Sequence, residues 1–350
     1  MSIPTDPSLF PEPPPIEEAP AWTERPARPP LENRFSWSPS RARLFGDCRR
    51  AYWYRYYGQW FGWEVDAPAK VRIAYRLGKM DTLDTWAGTI VHDLIEQAIK
   101  KARWGRPIRG EELRQQARAR LRVGWVQSRD GHWRHEPKRC TNLMEHYYAD
   151  STGLGKPRTD AIAERVYTAL DNFVNGPFPE LLARLPRDHW RSIEGLDSLE
   201  VAGQTVYVKP DLAFEHPDDG TTWLVDWKTG LPSDKDDFQV ATYALFAGSK
   251  WGVAPESCRG VLVYLGLGEE KQVDVTAEAL AKARAAIEDS IAAMREPLRE
   301  VEKNVADRPD FPMTDDRTRC GFCAFRQLCF GGEGVPGAAL AEDPENPGGS

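Results

Sequence analysis

Two different periodicities divide the chain. From Ser38 to about Pro186, apolar positions recur about every three to four residues, which is the period of amphipathic helices. Ser38 can cap a first helix that begins at Pro39. Three further helices are predicted, over 86–102, 111–127 and 159–175. The segment 128–156 is irregular, and no element is predicted there.

After Arg191, alternation replaces the helical period. Short runs rich in β-branched and aromatic residues, separated by turn residues such as Ala202-Gly203, predict strands. The predicted strands are 192–201, 205–214, 222–228, 260–265 and 271–275. Helices are predicted over 236–247 and 277–304. The first three strands are expected to form an antiparallel meander, so the order α, β, β, β, α, β indicates an α/β protein.

The two ends of the chain lack these periods. Residues 1–34 are rich in proline, glutamate and alanine and are predicted to be a disordered leader, and 331–350 a disordered tail. No secretory signal and no apolar run near twenty residues is visible, so we expect a cytoplasmic protein without membrane contact. In a reducing compartment, the six cysteines are expected to be metal ligands or buried thiols.

Charge is distributed unevenly along the 350 residues, whose formal net charge is -7. Between residues 41 and 125, Lys and Arg outnumber Asp and Glu roughly two to one, as on a phosphate-binding surface or on a solvated helical surface. The segment 49–63 interleaves arginine with aromatic rings, most of which are predicted to pack in the core. The candidates to contact single-stranded DNA are Arg50, Arg55 and Trp60.

A carboxylate and a lysine end the strand predicted at 222–228. Alternation places Asp226 and Lys228 on one face of an apolar strand, where burying charge without a metal or a partner is costly. Asp211 closes the preceding predicted strand, so a second carboxylate is expected nearby. Two such carboxylates can bind Mg²⁺ or Mn²⁺, while the lysine orients a water and offsets charge on a phosphoryl group. An isolated D-x-K tripeptide would more often be an exposed ion pair.

These motifs resemble the RecB-type branch of the PD-(D/E)-x-K nuclease superfamily over most of 38–330. Pro210-Asp211 and Asp226-Trp227-Lys228 match the family signature, and Gln239-Val240-Ala241-Thr242-Tyr243 matches its Q-x-x-x-Y element. Gly88-Thr89-Ile90-Val91-His92 resembles the upstream helix that carries a metal-binding histidine. The glycine that the family often has shortly before the second-motif aspartate is absent here, where Tyr207-Val208-Lys209-Pro210 stands.

The resemblance implies a role for each matched residue. His92, Asp211 and Asp226 would be metal ligands, and Lys228 would assist the attacking water. Gln239 and Tyr243 would line the DNA path. Outside the matched motifs, Glu194 in the first β-rich run is a weaker candidate for a further acidic site residue.

The cysteines predict a second metal centre. Cys320-x2-Cys323-x5-Cys329 lies near the C-terminus, and Cys48 adds a fourth thiolate from the first helix. Four thiolates suit tetrahedral zinc. The same one-plus-three order occurs in RecB-like nucleases with a 4Fe-4S cluster, including AddB-type subunits and CRISPR-adaptation nucleases, so the resemblance implies a cluster with zinc as the alternative. The remaining cysteines, which lack partners at ligand spacing, are Cys140 and Cys258.

The resemblance therefore implies an α/β protein with a restriction-endonuclease-like nuclease core, in which helices flank a mixed sheet. It comprises a helical region (35–190), the core (191–304) and a cysteine segment (305–330) that closes onto the first helix. The expected function is Mg²⁺- or Mn²⁺-dependent hydrolysis of DNA. We expect an exonuclease that acts on single-stranded DNA or on DNA ends, in repair, recombination or defence. The alternative is a DNA-binding subunit whose cleavage depends on a partner. No phosphate loop is present, so a helicase or integrase partner would be another chain.

Overall fold

The computed structural model describes residues 31–148 and 154–331. The predicted leader, up to residue 30, and the predicted tail, from residue 332, lie outside these ranges. All elements below belong to the unit that begins at Asn33.

Helices occupy the first part of the described chain, as the periodicity predicts. They are α1 (Pro39–Asp47), α2 (Arg49–Trp53), α3 (Ala69–Leu77), α4 (Leu83–Ala102), α5 (Gly110–Arg129), α6 (Met144–Tyr147), α7 (Lys156–Asn175) and α8 (Phe178–Arg184). The Ser38 hydroxyl accepts a hydrogen bond from the Arg41 N–H, which confirms the predicted cap of α1. Helix α4 begins three residues earlier than predicted because Thr82 and Thr85 form a reciprocal capping box.

Strands in the described chain form two sheets. They are β1 (Trp190–Ile193), β2 (Asp197–Val201), β3 (Gln204–Val208), β4 (Leu212–Glu215), β5 (Thr222–Lys228), β6 (Cys258–Tyr264) and β7 (Glu269–Val273). The larger sheet has the order β1-β4-β5-β6-β7, with β5 and β6 parallel and the other pairs antiparallel. Strands β2 and β3 form a separate hairpin. The predicted mixed sheet flanked by helices is confirmed.

The predicted meander is wrong in its connections. The run 192–201 divides at Glu194, which has a φ of 49°, and the run 205–214 divides at Pro210, which cannot donate a ladder hydrogen bond. The β2–β3 hairpin is therefore inserted between β1 and β4, which pair with each other. Asp211 consequently precedes β4 and does not close the strand before it.

Two helices follow the central strand, α9 (Asp236–Trp251) and, after β7, α10 (Ala277–Arg295). The prediction that the second of these reaches residue 304 is wrong. It ends before Pro297, since proline lacks the N–H and clashes with the preceding turn. No helix in the described ranges is long and apolar enough to cross a membrane.

Apolar side chains on alternate residues of the central strands pack on both faces of the larger sheet. Trp227 lies on the α7 and α8 side, with its ring edge-on to Phe173 and Phe178 at centroid distances of 5.5 and 4.8 Å. Leu224 packs on the opposite side, with α9 and α10. Truncating a fully buried tryptophan typically costs about 3–5 kcal/mol. This packing fixes the register of β5, and with it the positions of Asp226 and Lys228.

The C-terminal segment closes onto the first helices, as predicted. Arg319 forms an ion pair with Asp47 at the end of α1, with 2.5 Å between Nη1 and Oδ1. The Tyr54 hydroxyl donates to the Leu328 carbonyl oxygen (3.1 Å), and its ring stacks on Phe325. These contacts place α11 (Arg326–Phe330) beside the residues that follow Cys48.

Candidate active site

Three carboxylates lie side by side at one end of β1, β4 and β5. The registers pair Leu212 with Ile193 and with Val225, so continuing them by one position places Asp211 between Glu194 and Asp226. The Glu194 N–H donates to the Asp211 carbonyl oxygen (3.0 Å), and the Trp227 N–H donates to Asp211 Oδ2 (2.7 Å). Backbone hydrogen bonds therefore hold the row of carboxylates together at one end of the sheet.

Helix α4 brings a histidine to this row. His92 Nδ1 lies 3.4 Å from Asp211 Oδ1 and 3.6 Å from Glu194 Oε1. Gly88, one turn earlier, allows the close approach of the helix to β5, because a Cβ at this position would lie 2.9 Å from Thr229 Oγ1. The ligand atoms of His92, Glu194 and Asp211 all lie within 4.8 Å of one another, and within the described ranges no other trio of His, Cys, Asp or Glu does so.

The electrostatics of this trio favour a cation. Burial raises the pKa of Asp211 to about 7, and the charge of Asp226 raises it as well. Burial alone would lower the pKa of His92, but the neighbouring carboxylates of Asp211 and Glu194 raise this pKa to about 10. Burial would raise the pKa of Glu194, but His92 and Lys209 lower it, with Lys209 Nζ 2.5 Å from Oε2. In the absence of a metal, a protonated His92 supplies the positive charge that the carboxylates require.

Asp226 has the surroundings of a metal ligand. Its side chain is almost fully buried, and Oδ1 accepts hydrogen bonds from Gln239 Nε2 (2.9 Å) and the Tyr243 hydroxyl (3.0 Å). Lys228 Nζ lies 2.7 Å from Oδ2 as an ion pair, but without hydrogen-bond geometry. A buried carboxylate oxygen with unused acceptor capacity fits a divalent cation.

Lys228 is held in place by three side chains. Its Nζ donates to Gln239 Oε1 (2.8 Å), contacts Asp226, and lies 3.6 Å from Asp236 Oδ1. Asp236 in turn accepts a hydrogen bond from the Tyr264 hydroxyl (3.1 Å), and Tyr264 is the partner of Lys228 in the β5–β6 register. The ammonium group is therefore fixed beside the carboxylates.

Gln239 and Tyr243 share one face of α9, as their spacing predicts. Gln239 Nε2 lies 2.6 Å from the Tyr243 hydroxyl, and both side chains bond to Asp226. Tyr243 is only 3% exposed. The contacts in the structure are thus those of groups that position Asp226, and the place of these two residues along a DNA path stays a prediction.

Sequence reasoning missed part of this site and ranked another part too low. The sequence marks Glu194 only as a weaker candidate for an acidic site residue, although its carboxylate lies in the trio with His92 and Asp211. Lys209 and Asp236 were not singled out. Signals for both exist in the chain: Lys209 stands one residue before Pro210-Asp211, and Asp236 is the first residue of α9.

The two arginines proposed for DNA lie outside the trio and its immediate partners. The Arg50 Nε–H donates to the Phe311 carbonyl oxygen (2.6 Å), so this side chain ties α2 to the C-terminal segment. Arg55 lies near Lys79 and Asp81. Burial lowers the pKa of Lys79, and the charge of Arg55 lowers it further. Substrate contacts for both arginines stay a prediction.

The four cysteines of the predicted second centre lie close enough for their charges to interact. Burial and, to a smaller extent, the thiols of Cys329, Cys48 and Cys320 raise the pKa of Cys323 to about 12. Burial raises the pKa of Cys329 to about 11, and Cys48 and Cys320 act in the same direction. No three of the six cysteine sulfurs lie within 4.8 Å of one another. Tetrahedral zinc, with Zn–S bonds of about 2.3 Å, would need sulfurs about 3.8 Å apart.

Comparison with protein families gives a match. A family model described as the PD-(D/E)XK nuclease superfamily matches residues 36–330, a range that includes the carboxylates, His92, Lys228 and the four cysteines. No curated protein matches the chain.

We predict that Mn²⁺ binds this site with release of protons. A metal-bound imidazole must be deprotonated, and the pKa of His92 is about 10 without metal, so the affinity should rise between about pH 6 and about pH 8. Replacing His92 by alanine, or Glu194 by glutamine, should weaken binding at least about tenfold. Isothermal titration calorimetry in buffers of different ionisation enthalpy measures both effects.

The control for this titration is His132→Ala, which removes an exposed imidazole from another part of the chain. It should bind Mn²⁺ like the wild type. Unchanged affinity in His92→Ala, or no dependence of the heat on the buffer, would contradict the assignment.

Proposed function

The chain belongs to the PD-(D/E)XK nuclease superfamily, and we propose that it is a Mg²⁺- or Mn²⁺-dependent deoxyribonuclease of the RecB-like branch. The observation that carries this proposal is the trio of His92, Glu194 and Asp211, next to Asp226 and its fixed partner Lys228. Buried carboxylates at such density are costly to a fold that does not use them.

The side chains divide the work of phosphodiester hydrolysis. His92, Glu194, Asp211 and Asp226 would hold the metal, which when bound polarises the scissile phosphate and lowers the pKa of a water. Lys228, held by Gln239 and Asp236, would offset charge on the phosphoryl oxygens and orient the water. The remaining polar groups would keep Asp226 in position.

The proposed substrate is single-stranded DNA or a DNA end, cleaved as by an exonuclease, in repair, recombination or defence. Two features support this choice: the resemblance to RecB-like enzymes, and the excess of Lys and Arg between residues 41 and 125. A helicase or integrase partner would supply any motor or integration step.

For the second centre we propose a 4Fe-4S cluster on Cys48, Cys320, Cys323 and Cys329. The four thiols lie close enough to affect the pKa values of Cys323 and Cys329. No three of the sulfurs lie within 4.8 Å of one another, however, which is wider than the spacing of about 3.8 Å that tetrahedral zinc requires. The cluster would join chain segments that are 272 residues apart at the Asp47–Arg319 pair, so its role would be to stabilise the closure of the C-terminal segment.

We predict that the purified protein cleaves end-labelled DNA only with Mg²⁺ or Mn²⁺. Lys228→Met should lower the rate about 10²–10³-fold, since it removes a fixed charge from the phosphoryl group, and Asp226→Asn should lower it at least as much. Asp218→Asn, an equal change in an exposed turn, should leave the rate unchanged. DNA binding without cleavage under either metal would favour a DNA-binding subunit instead.

We predict that anaerobically purified protein is brown, absorbs near about 400 nm and contains about four iron atoms per chain. Cys48→Ser should lose the absorption and the iron and should unfold at a lower temperature. The matched control is Cys140→Ser, which should keep all three properties. A colourless protein with one zinc, lost in Cys48→Ser, would replace the cluster by zinc.

A further inference from the structure

A cleft lies between helix α3, the loop 62–65 and the residues 134–139, which follow the start of the 3-10 turn His132–Arg134. Its volume is about 490 Å³, within the range of about 300–1,000 Å³ that is usual for ligand pockets. None of the metal-site residues lines it. The functions proposed above therefore leave the cleft, and the irregular segment that forms one of its walls, without a role.

The cleft is strongly basic. Five arginines and lysines line it, against two glutamates. Arg139 and Glu136 form an exposed contact of 3.8 Å, which neutralises little charge. Arg134 and Lys138 are exposed on the same wall, and Arg134 lies 4.6 Å over the ring of Trp133. An excess of exposed guanidinium and ammonium groups in a concave surface favours a polyanion such as a phosphodiester chain.

The opposite wall carries a fixed aromatic ring. Trp63 is partly exposed and packs edge-on against Trp60 and Tyr75, at centroid distances of 5.4 and 5.9 Å. Gly62 lets this loop lie directly on α3, because a Cβ there would come within 2.5 Å of the Val71 carbonyl oxygen. A rigid indole beside cationic side chains can stack on a base while the cations bind the flanking phosphates.

The irregular wall is fixed to the start of the helix that carries His92. The Asp81 N–H donates to the Asn142 carbonyl oxygen (3.0 Å), and the Met144 N–H donates to the Asp81 carbonyl oxygen (2.8 Å). Along α4, the rise from Thr82 to His92 is about 15 Å at 1.5 Å per residue. The cleft thus has a fixed position relative to the metal site.

We propose that this cleft is a second binding point for single-stranded DNA, in which Trp63 stacks on one base and Arg134 and Lys138 bind neighbouring phosphates. The identity of the polyanion rests on the proposed nuclease function. A single strand fits better than a duplex, because stacking on Trp63 requires an unpaired base. An oligonucleotide too short to span both points can still occupy the cleft, but it should bind more weakly than a long strand.

The test measures binding without cleavage. Fluorescence anisotropy in EDTA follows labelled oligo-dT of about 20 or about 4 nucleotides, with the full chain carrying Asp226→Asn. Adding Arg134→Gln and Lys138→Gln should weaken binding of the long strand at least about tenfold. The slope of the logarithm of the binding constant against the logarithm of the salt concentration should become shallower by about 1.4, because each lost phosphate contact accounts for about 0.7. Trp63→Ala should weaken binding of the long strand without changing the slope. Binding of the short strand, which can occupy the cleft alone, should weaken as well.

The matched control is Lys282→Gln with Arg284→Gln, an equal charge change on the exposed face of α10. Unchanged affinity and slope in the cleft variant, or an equal loss in the control, would overturn the proposal. An equal loss for a duplex would overturn the assignment to single strands, and a loss for RNA alone would overturn the assignment to DNA.

The result separates this inference from the nuclease proposal. Loss of long-strand binding in the cleft variant supports the cleft even if the wild type never cleaves DNA. In an active protein with Asp226 intact, the cleft variant should raise KM for long strands and leave kcat unchanged. A fall in kcat with KM unchanged would overturn the role as a distant binding point.

Discussion

Carboxylates of like charge are buried together at one end of the larger sheet, and the side chains around them are arranged to compensate this charge. Asp211 and Asp226 are 7% and 2% exposed, and Glu194 stands beside them. Each carboxylate contacts a different cation: His92 lies against Asp211, Lys228 against Asp226, and Lys209 against Glu194. Such an arrangement adds little to stability, because hydrophobic side chains of similar volume would stabilise the fold as well.

The surrounding architecture can be understood as support for this cluster. Trp227 locks β5 against α7 and α8, so that the residues on either side of it, Asp226 and Lys228, have fixed positions. Helix α9 supplies Gln239 and Tyr243, whose hydrogen bonds occupy one oxygen of Asp226, while the other oxygen lies against the Lys228 ammonium group. These hydrogen bonds hold Asp226 in place, as the proposed metal site requires.

Much of the fold could be predicted because it is encoded locally. The strand Thr222–Lys228 has the predicted bounds, and Ser38 caps α1 as predicted, because alternation and capping depend only on neighbouring residues. The pairing of β1 with β4 was missed because it bypasses the β2–β3 hairpin. That pairing is what brings Glu194 to Asp211. The end of α10 at Arg295 follows from Pro297, which cannot continue a helix, and the predicted end at residue 304 does not take this proline into account.

Anomalous diffraction at the manganese edge, from crystals soaked in Mn²⁺, tests the proposed metal site. We expect a peak at about 2.0–2.3 Å from ligand atoms of His92, Glu194, Asp211 and Asp226, and loss of this peak in Asp226→Asn crystals. Manganese bound elsewhere, with the ion pair between Lys228 and Asp226 and the contact between His92 and Asp211 intact, would contradict the proposed site.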